Sequence, residues 1–170
     1  FNWLTPSLPG ARVLDLFAGT GALGLEALSR GAAMAVLAER DASLAAALRA
    51  TLSRLEGGER GRVVQGDGLA FLRTSTDTFD IAFVDPPFAG GLWSQAWPLL
   101  APRLAADALV HVESPVDVDP AVPAGWVLHR EGRTREVRYA LYRVPGAEPA
   151  ADTLGADPTA GEPSTRNENA

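Results

Sequence analysis

The fold is decided by one stretch near the amino terminus, RVLDLFAGTGALGLEALS, which spans residues 12–29. Its opening residues, Arg12–Phe17, are mostly apolar and predict a buried strand. A glycine-rich turn, Ala18–Gly24, follows at once, and the remainder predicts a helix that ends at Ser29. Strand, glycine-rich turn and helix in this order form the nucleotide-binding unit of a doubly wound α/β sheet.

The glycine-rich turn and the acidic residue beyond it predict a ligand site. Gly19 and Gly21 let a ligand approach the backbone, and the helix after them offers free amides to a carboxylate or phosphate. The next predicted strand, Ala33–Ala38, ends at Glu39, which is placed to accept hydrogen bonds from a ribose diol. A Gly-x-Gly-x-x-Gly pattern alone is weak evidence, but here strand, helix and acidic residue accompany it.

A second helix is predicted over Ala42–Leu55. Asp41 is its expected N-cap, and Gly57 and Gly58 stop it. Leucines recur along the helix at helical spacing and are interpreted as core residues: Leu44, Leu48, Leu52 and Leu55.

A third strand is predicted over Arg62–Gln65 and a short helix over Leu69–Arg73. The turn between them contains Gly66, Asp67 and Gly68. Because the carboxyl ends of parallel strands meet at one edge of a sheet, we expect Asp67 to lie near the glycine-rich turn. A plain helix cap is the alternative role of this residue.

The sequence Asp85-Pro86-Pro87-Phe88 follows a fourth predicted strand, Phe79–Val84. The two prolines stop the strand and leave stiff carbonyl acceptors facing outward. A carboxylate, rigid acceptors and an aromatic ring are thereby presented at the ligand-binding edge of the sheet. An ordinary strand-ending turn is the alternative, but the unit at residues 12–29 favours a functional role.

The remaining elements are predicted as a helix, a fifth strand and an antiparallel pair: Leu92–Leu100, Leu109–Glu113, residues 126–129 and residues 137–144. Trp93 and Trp97 share one helix face and are interpreted as core residues rather than as a platform for bases. His111 and His129 are interpreted as strand residues rather than catalysts.

The closing strand pair is the most basic part of the chain, and its arginines are Arg130, Arg133, Arg135, Arg138 and Arg143. A solvated face balanced by Glu131 and Glu136 is the simpler interpretation. Contact with phosphate is the alternative.

The composition is that of a globular protein, since 170 residues with 46% hydrophobic content suffice for one domain with its own core. No run of 18 or more apolar residues predicts a membrane span. Cysteine is absent, which excludes disulfides and thiolate metal sites and suits a reducing, cytoplasmic environment. With two histidines in the chain, we do not expect a zinc site.

The net charge of −6 is unevenly distributed. Residues 145–170 hold five acidic side chains and one arginine, a net charge of −4, which leaves −2 for the rest of the chain. A nearly neutral body allows a local basic face. Residues 145–170 also lack aromatic side chains and are rich in proline and glycine, so we expect a domain at residues 1–144 followed by a disordered tail. Because Phe1–Leu4 is typical of the end of a helix, we expect a segment to precede it.

Together these motifs resemble a class I S-adenosylmethionine-dependent methyltransferase, and more narrowly the RsmD family of bacterial 16S rRNA guanine-N2 methyltransferases. The resemblance runs from Phe1 to about Val144. It is carried by FNWL (residues 1–4), LDLFAGTGALGLEALSRG (residues 14–31), FVDPPF (residues 83–88) and YALY (residues 139–142). It implies a seven-stranded, mostly parallel, doubly wound sheet with an antiparallel last strand and helices on both faces. Such proteins usually carry a basic segment before the FNWL stretch.

The resemblance also implies S-adenosylmethionine as cofactor. Gly19 and Gly21 would lie along its methionine portion, Asp15 would hold its amino group, Glu39 its ribose, and Asp67 the amino group of its adenine. The full set of expected cofactor residues is Asp15, Phe17, Gly19, Thr20, Gly21, Glu39, Arg40, Gly66, Asp67, Gly68 and Asp85.

The implied reaction accounts for the FVDPPF motif. A guanine exocyclic amine is a poor nucleophile, because its lone pair is delocalised into the ring. Asp85 and the Pro86 carbonyl would hold its protons out of plane, and Phe88 would stack on a base turned out of its helix. These three are the expected catalytic residues, and positioning the amine in line with the methyl group would supply most of the rate.

The resemblance implies a partner as well, the 16S rRNA of an assembling 30S subunit, with guanine 966 as the target. We expect a cytoplasmic monomer that needs neither a metal nor a membrane.

Three other functions use parts of the same pattern. An amino-methyltransferase acting on adenine N6 or on a protein glutamine shares the acid-proline-proline-aromatic arrangement. A NAD-dependent dehydrogenase would use the glycines and Glu39, but the sequence shows neither a second domain nor a catalytic His, Tyr or Lys set. A non-catalytic RNA-binding module of the same fold would not need Asp85.

Overall fold

The computed structural model describes residues 1–87 and 91–146 of the chain. Its strands and α-helices are, in order, β1 (Arg12–Asp15), α1 (Ala22–Ser29), β2 (Met34–Glu39), α2 (Ala42–Leu52), β3 (Gly61–Gln65), α3 (Gly68–Thr74), β4 (Phe79–Val84), α4 (Leu92–Leu100), β5 (Leu104–Pro115), β6 (Val127–Arg133) and β7 (Val137–Arg143). The predicted disordered tail lies outside the described residues from position 147 onward.

The strands form one seven-stranded sheet in the order β3-β2-β1-β4-β5-β7-β6. Strands β1 to β5 run parallel, β7 runs antiparallel to β5, and β6 runs antiparallel to β7. The predicted sheet is therefore confirmed. The chain builds outward from β1 through β2 to β3 and then returns to β4 on the other side of β1. This reversal opens a crevice at the carboxyl ends of β1 and β4, where open α/β sheets bind ligands.

Helices cover both faces of the sheet. Successive side chains of a strand point to opposite faces, and both sets are apolar here, so each face needs a layer of helices. Val13 and Ile81 pack with α1 and α2, whereas Leu14 and Ala82 pack with α3 and α4. The buried helix residues include Ala27, Leu28, Leu48 and Leu52 on one face, and Leu69, Leu72, Trp93, Ala96, Trp97 and Leu100 on the other. The prediction that both tryptophans of α4 belong to the core is confirmed, since they are 4% and 5% exposed.

Most element boundaries differ from the predicted ones by one to five residues, β6 for example extending to Arg133 instead of residue 129, and three of the differences have a clear local reason. β1 ends at Asp15 instead of Phe17, because the chain turns there toward the glycine-rich segment. α2 ends at Leu52, and turns at residues 53–56 then lead to Gly57, whose φ of +79° suits glycine. β5 extends from Leu104 to Pro115, since its first part pairs with β4 across a bulge and its last part pairs with β7.

The β6–β7 hairpin forms the outer edge of the sheet. Val127 and Leu128 are largely exposed there, and His129 is exposed as well. Arg138 pairs with Glu131 at 2.9 Å, as expected for a balanced surface. Within residues 1–87 and 91–146, none of the helices has the length and apolar character needed to traverse a bilayer.

Candidate active site

A cleft of about 680 Å³ opens at the carboxyl ends of β1 to β4. Of the eleven residues expected to bind cofactor, ten line it: Asp15, Phe17, Gly19, Thr20, Glu39, Arg40, Gly66, Asp67, Gly68 and Asp85. Residues 70 positions apart in sequence therefore share one site, because parallel strands deliver their following turns to the same edge.

Gly19 and Gly21 of the glycine-rich turn differ in role. Gly19 has a φ of +57°, and nothing lies within 4 Å of the position that a Cβ would occupy, so a ligand can approach its backbone. Gly21, also expected to contact the ligand, is not among the residues that line the cleft. It is buried, its amide donates to the carbonyl of Ala18 at 2.7 Å, and a Cβ would clash with Leu48. Its φ of +80° shapes the start of α1, so its role is conformational.

Asp15 lies at the base of the cleft and is 3% exposed. Its Oδ2 accepts a hydrogen bond of 3.0 Å from the amide of Gly24. Burial raises the pKa of Asp15 to about 7, the Gly24 bond opposes that rise, and the charges of Asp85 and Glu39 add to it. A cationic ammonium group would compensate such a buried carboxylate.

Glu39 connects three segments at the rim of the cleft. Its Oε2 accepts from the amide of Gly19 and its Oε1 from the amide of Asp41, both at 2.7 Å. Each carboxylate oxygen keeps a second lone pair, so a ribose hydroxyl can be added without breaking either bond. Arg40, next in sequence, is exposed on the same rim.

Asp67 caps α3, because its Oδ1 accepts from the amide of Leu69 at 2.9 Å. The alternative role considered for this residue is thus present in the structure. Asp67 is also exposed on the wall of the cleft, between Gly66 and Gly68. A cap uses one oxygen, so the second can accept from a ligand amine.

Several apolar residues of the cleft were not expected there. Leu44 was predicted to be core, but this is wrong: it is 37% exposed and lines the cleft. It lies in the first turn of α2, where the helix projects beyond the sheet edge. The other unexpected lining residues are Leu16, Ala18, Ala22, Leu23, Ala38, Pro87 and Leu92. The spacing of apolar residues in the sequence cannot distinguish these residues from core residues. Their position close to the ends of predicted strands is the one sequence feature that could have indicated that they line the cleft.

Asp85, Pro86 and Pro87 line the cleft at the carboxyl end of β4. Pro86 is buried. Asp85 is exposed as a whole residue, but its carboxyl group is partly buried, and this burial raises the pKa of Asp85. Phe88, the third expected catalytic residue, lies outside the described residues. In the part of the chain that is described, no group of three or more His, Cys, Asp or Glu side chains is arranged to hold a metal ion.

His111 is a β5 residue behind this wall. Its ring contacts Phe83 edge-on with centroids 5.8 Å apart, and burial lowers the pKa of His111 to about 4. The imidazole is therefore neutral. It does not line the cleft, and the same is true of His129.

Residues 1–143 match a family described as "Conserved hypothetical protein 95". Ribosomal RNA small subunit methyltransferase D of Escherichia coli strain K12 is 47% identical over 146 residues, which cover 84% of this chain and 73% of that protein. The solved structure of Escherichia coli yhhF, described as a methyltransferase, has a TM-score of 0.81 at 46% identity and covers 86% of this chain and 84% of that one.

An RNA methyltransferase from Salinibacter ruber, solved with S-adenosyl-L-homocysteine, shares the fold with a TM-score of 0.67 at 16% identity and covers 88% of this chain and 92% of that one. The family match spans the glycine-rich turn, the acidic strand ends and the Asp85 motif. The chain therefore belongs to the RsmD family of S-adenosylmethionine-dependent methyltransferases.

Proposed function

We propose that the protein transfers a methyl group from S-adenosylmethionine to the exocyclic N2 amine of a guanine in 16S rRNA. The proposed target is guanine 966 in an assembling 30S subunit. The observation that carries this proposal is the position of Asp85 and Pro86, which line the same cleft as Gly19, Glu39 and Asp67. Methyl donor and amine acceptor would thus meet at one sheet edge.

The residues of the cleft fit the cofactor. The buried carboxylate of Asp15 suits the ammonium of its methionine portion, and the open backbone at Gly19 admits the chain beside it. Glu39 would take the ribose diol and Asp67 the adenine amine. Leu44 would supply an apolar wall for the adenine ring. When bound, the cofactor supplies a sulfonium methyl group, which moves to the amine as the carbon–sulfur bond breaks and its electron pair returns to sulfur.

Asp85 and the Pro86 carbonyl would act on the acceptor. Hydrogen bonds from the amine to these two oxygens turn its lone pair toward the methyl group. As the nitrogen becomes positively charged, the Asp85 carboxylate stabilises it and can take the proton that must leave. No stronger base is required, because alignment of the reacting atoms supplies most of the rate.

Three observations support the RNA substrate. The relative from Escherichia coli is named for small-subunit ribosomal RNA. The β6–β7 hairpin carries exposed arginines. Trp3 and Tyr139 form an aromatic pair, and Tyr139 lies on β7, next to β5. Stacking on aromatic rings is the usual means of holding an unpaired base.

Mass spectrometry of 16S rRNA tests the proposal. A strain lacking the gene should lose one N2-methylguanosine, and the wild-type gene should restore it. Loss of an N6-methyladenosine, or of a methylated protein glutamine with unchanged rRNA, would instead support another amino-methyltransferase. Purified protein should also methylate small subunits isolated from the deletion strain.

A further inference from the structure

A second carboxylate, that of Glu113, lies beside Asp85 where the pairing of β4 with β5 ends. β4 and β5 are parallel neighbours in which Val84 pairs with Val112, so the next residues, Asp85 and Glu113, leave the pairing side by side. Phe83 and His111, which pair two positions before Asp85 and Glu113, touch each other. Because side chains alternate along strands, Glu113 lies on the same face of β5 as His111, and Asp85 is the first residue after β4 beside it. The charge of Asp85 contributes, after burial, to the raised pKa of Glu113, as expected for close neighbours.

Within the described residues, neither carboxylate has a side-chain hydrogen bond or ion pair. Among residues 1–87 and 91–146, no hydrogen bond or ion pair reaches the side chain of Asp85 or Glu113. Glu113 is half-buried. Two neighbouring carboxylates without a cation or donor between them are unfavourable, because each charge disfavours ionisation of the other. A ligand that brings two adjacent N–H donors would remove this cost.

Aromatic side chains adjoin the pair. Tyr139 of β7 is the direct cross-strand partner of Glu113, so both side chains lie on the same face of the sheet. Tyr139 also packs on Trp3, with ring centroids 5.6 Å apart. These two residues and His111 line a cavity of about 320 Å³. The surroundings of Glu113 therefore combine a carboxylate with flat apolar surfaces, which suits a nucleobase.

The chemistry of purine edges distinguishes the candidate bases. Guanine presents N1–H directly beside its exocyclic N2 amine, so two neighbouring carboxylates can each accept one donor. Adenine presents an N1 lone pair beside its N6 amine, and a carboxylate at that place would face the lone pair. A buried acceptor left without its donor discriminates strongly against the wrong base.

We propose that Glu113 accepts a hydrogen bond from N1–H of the target guanine while Asp85 and the Pro86 carbonyl hold the exocyclic amine. Glu113 is then a specificity-determining residue that selects guanine over adenine. This inference rests on the proposed function and adds to it the group that reads the base.

2-Aminopurine isolates this contact. The analogue retains the exocyclic 2-amine but has a lone pair at N1, and it lacks the guanine O6. Small-subunit particles would be reconstituted with guanine or 2-aminopurine at the target position, and kcat/KM would be measured for both. The wild-type protein should prefer guanine by about tenfold or more, in the range of a hydrogen bond to a charged group.

Glu113→Gln should reduce this preference at least about tenfold, because its amide can donate to the N1 lone pair. Glu113→Asp retains the charge but shortens the reach, so it should lose rate on guanine without gaining rate on 2-aminopurine. Glu136→Gln, an exposed hairpin carboxylate, is the matched control and should leave the preference unchanged. All three variants should bind S-adenosylhomocysteine with wild-type affinity.

The outcomes separate the two proposals. If wild-type protein methylates guanine N2 and Glu113→Gln keeps the wild-type preference, the role of Glu113 is wrong and the proposed function stands. If wild-type protein transfers no methyl group to the 2-amine of either guanine or 2-aminopurine, the proposed function itself is overturned, and the role of Glu113 with it.

Discussion

The amide of Gly19 donates a hydrogen bond of 2.7 Å to Oε2 of Glu39, which joins the glycine-rich turn after β1 to the end of β2. The other oxygen of Glu39 accepts from the amide of Asp41, the N-cap of α2. One carboxylate thus fixes two segments of the cleft rim before any ligand binds. Such preorganisation reduces the cost of ordering the site on binding.

Glu39→Ala should weaken S-adenosylhomocysteine binding by at least about tenfold, because both rim bonds and the ribose acceptor are lost. Isothermal titration measures the affinity, and Glu56→Ala, at an exposed carboxylate elsewhere, should leave it unchanged. NAD should give no saturable heat with the wild-type protein. Saturable NAD binding without a response to S-adenosylhomocysteine would contradict the cofactor assignment.

Asp85→Ala should fold and bind cofactor but lose about a hundredfold or more in turnover, because the attacking amine loses its charged acceptor. If Asp85 only shaped a turn, the change would cost about 1 kcal/mol of stability and leave turnover intact. Methyl transfer to assembling small subunits is the assay. Asp117→Ala, at an exposed carboxylate just after β5, is the control, and near-normal turnover of Asp85→Ala would refute the role.

The stability of the cofactor-free protein should depend on the ionisation of Asp15. Its pKa in the folded protein is raised to about 7 from an ordinary value of 3.8, so the folded state binds the proton more tightly than the unfolded state. Its contribution to stability is full below about pH 4 and is lost as pH rises toward 7. Urea unfolding from pH 5 to pH 8 should therefore show a falling difference in free energy between wild type and Asp15→Asn.

The same group should couple cofactor binding to pH. If Asp15 holds the cofactor ammonium in its ionised form, affinity for S-adenosylhomocysteine should rise between pH 6 and pH 8 in the wild type. This rise should be smaller in Asp15→Asn. Equal pH dependence in both proteins would assign Asp15 a purely structural role through Gly24.

Exposed arginines of the β6–β7 hairpin should contribute to RNA affinity. In the described part of the chain, Arg130, Arg133 and Arg135 have no carboxylate within 4.0 Å. Changing all three to serine should lower the magnitude of the slope of log affinity against log salt by about 2 to 3, since each phosphate contact contributes about 0.7 to 0.9. Changing Arg49, Arg54 and Arg73, exposed at the opposite end of the sheet, is the control. Equal slopes for both triple variants would favour a merely solvated hairpin.

Truncation after Gly146 should leave the melting temperature and the affinity for S-adenosylhomocysteine nearly unchanged. The segment beyond it lacks the apolar content required to pack on the body. Calorimetry and titration of the two forms make the comparison. A fall of several degrees on truncation would show that residues 147–170 dock on the domain.

Local patterns in the sequence were sufficient for the architecture. The apolar run at residues 79–84, the turn around Gly19 and the cap at Asp41 each follow from short-range chemistry, and their order predicts a doubly wound sheet. The sequence also predicted the polar residues that line the cleft. Glu39, Asp67 and Asp85 each end a predicted strand, and in a parallel sheet all such ends share one edge.

Tertiary structure alone decided which apolar residues line the cleft and which residues outside the recognised motifs lie next to it. Leu44 and Leu48 have the same helical spacing, yet one lines the cleft and the other is buried, because α2 extends past the sheet edge. Gly21 turned away from the cleft because Leu48 occupies the space beside it. Glu113 adjoins Asp85 through the register of two strands 28 residues apart, as the pairing of Val84 with Val112 shows. Register and packing are long-range properties that no local pattern contains.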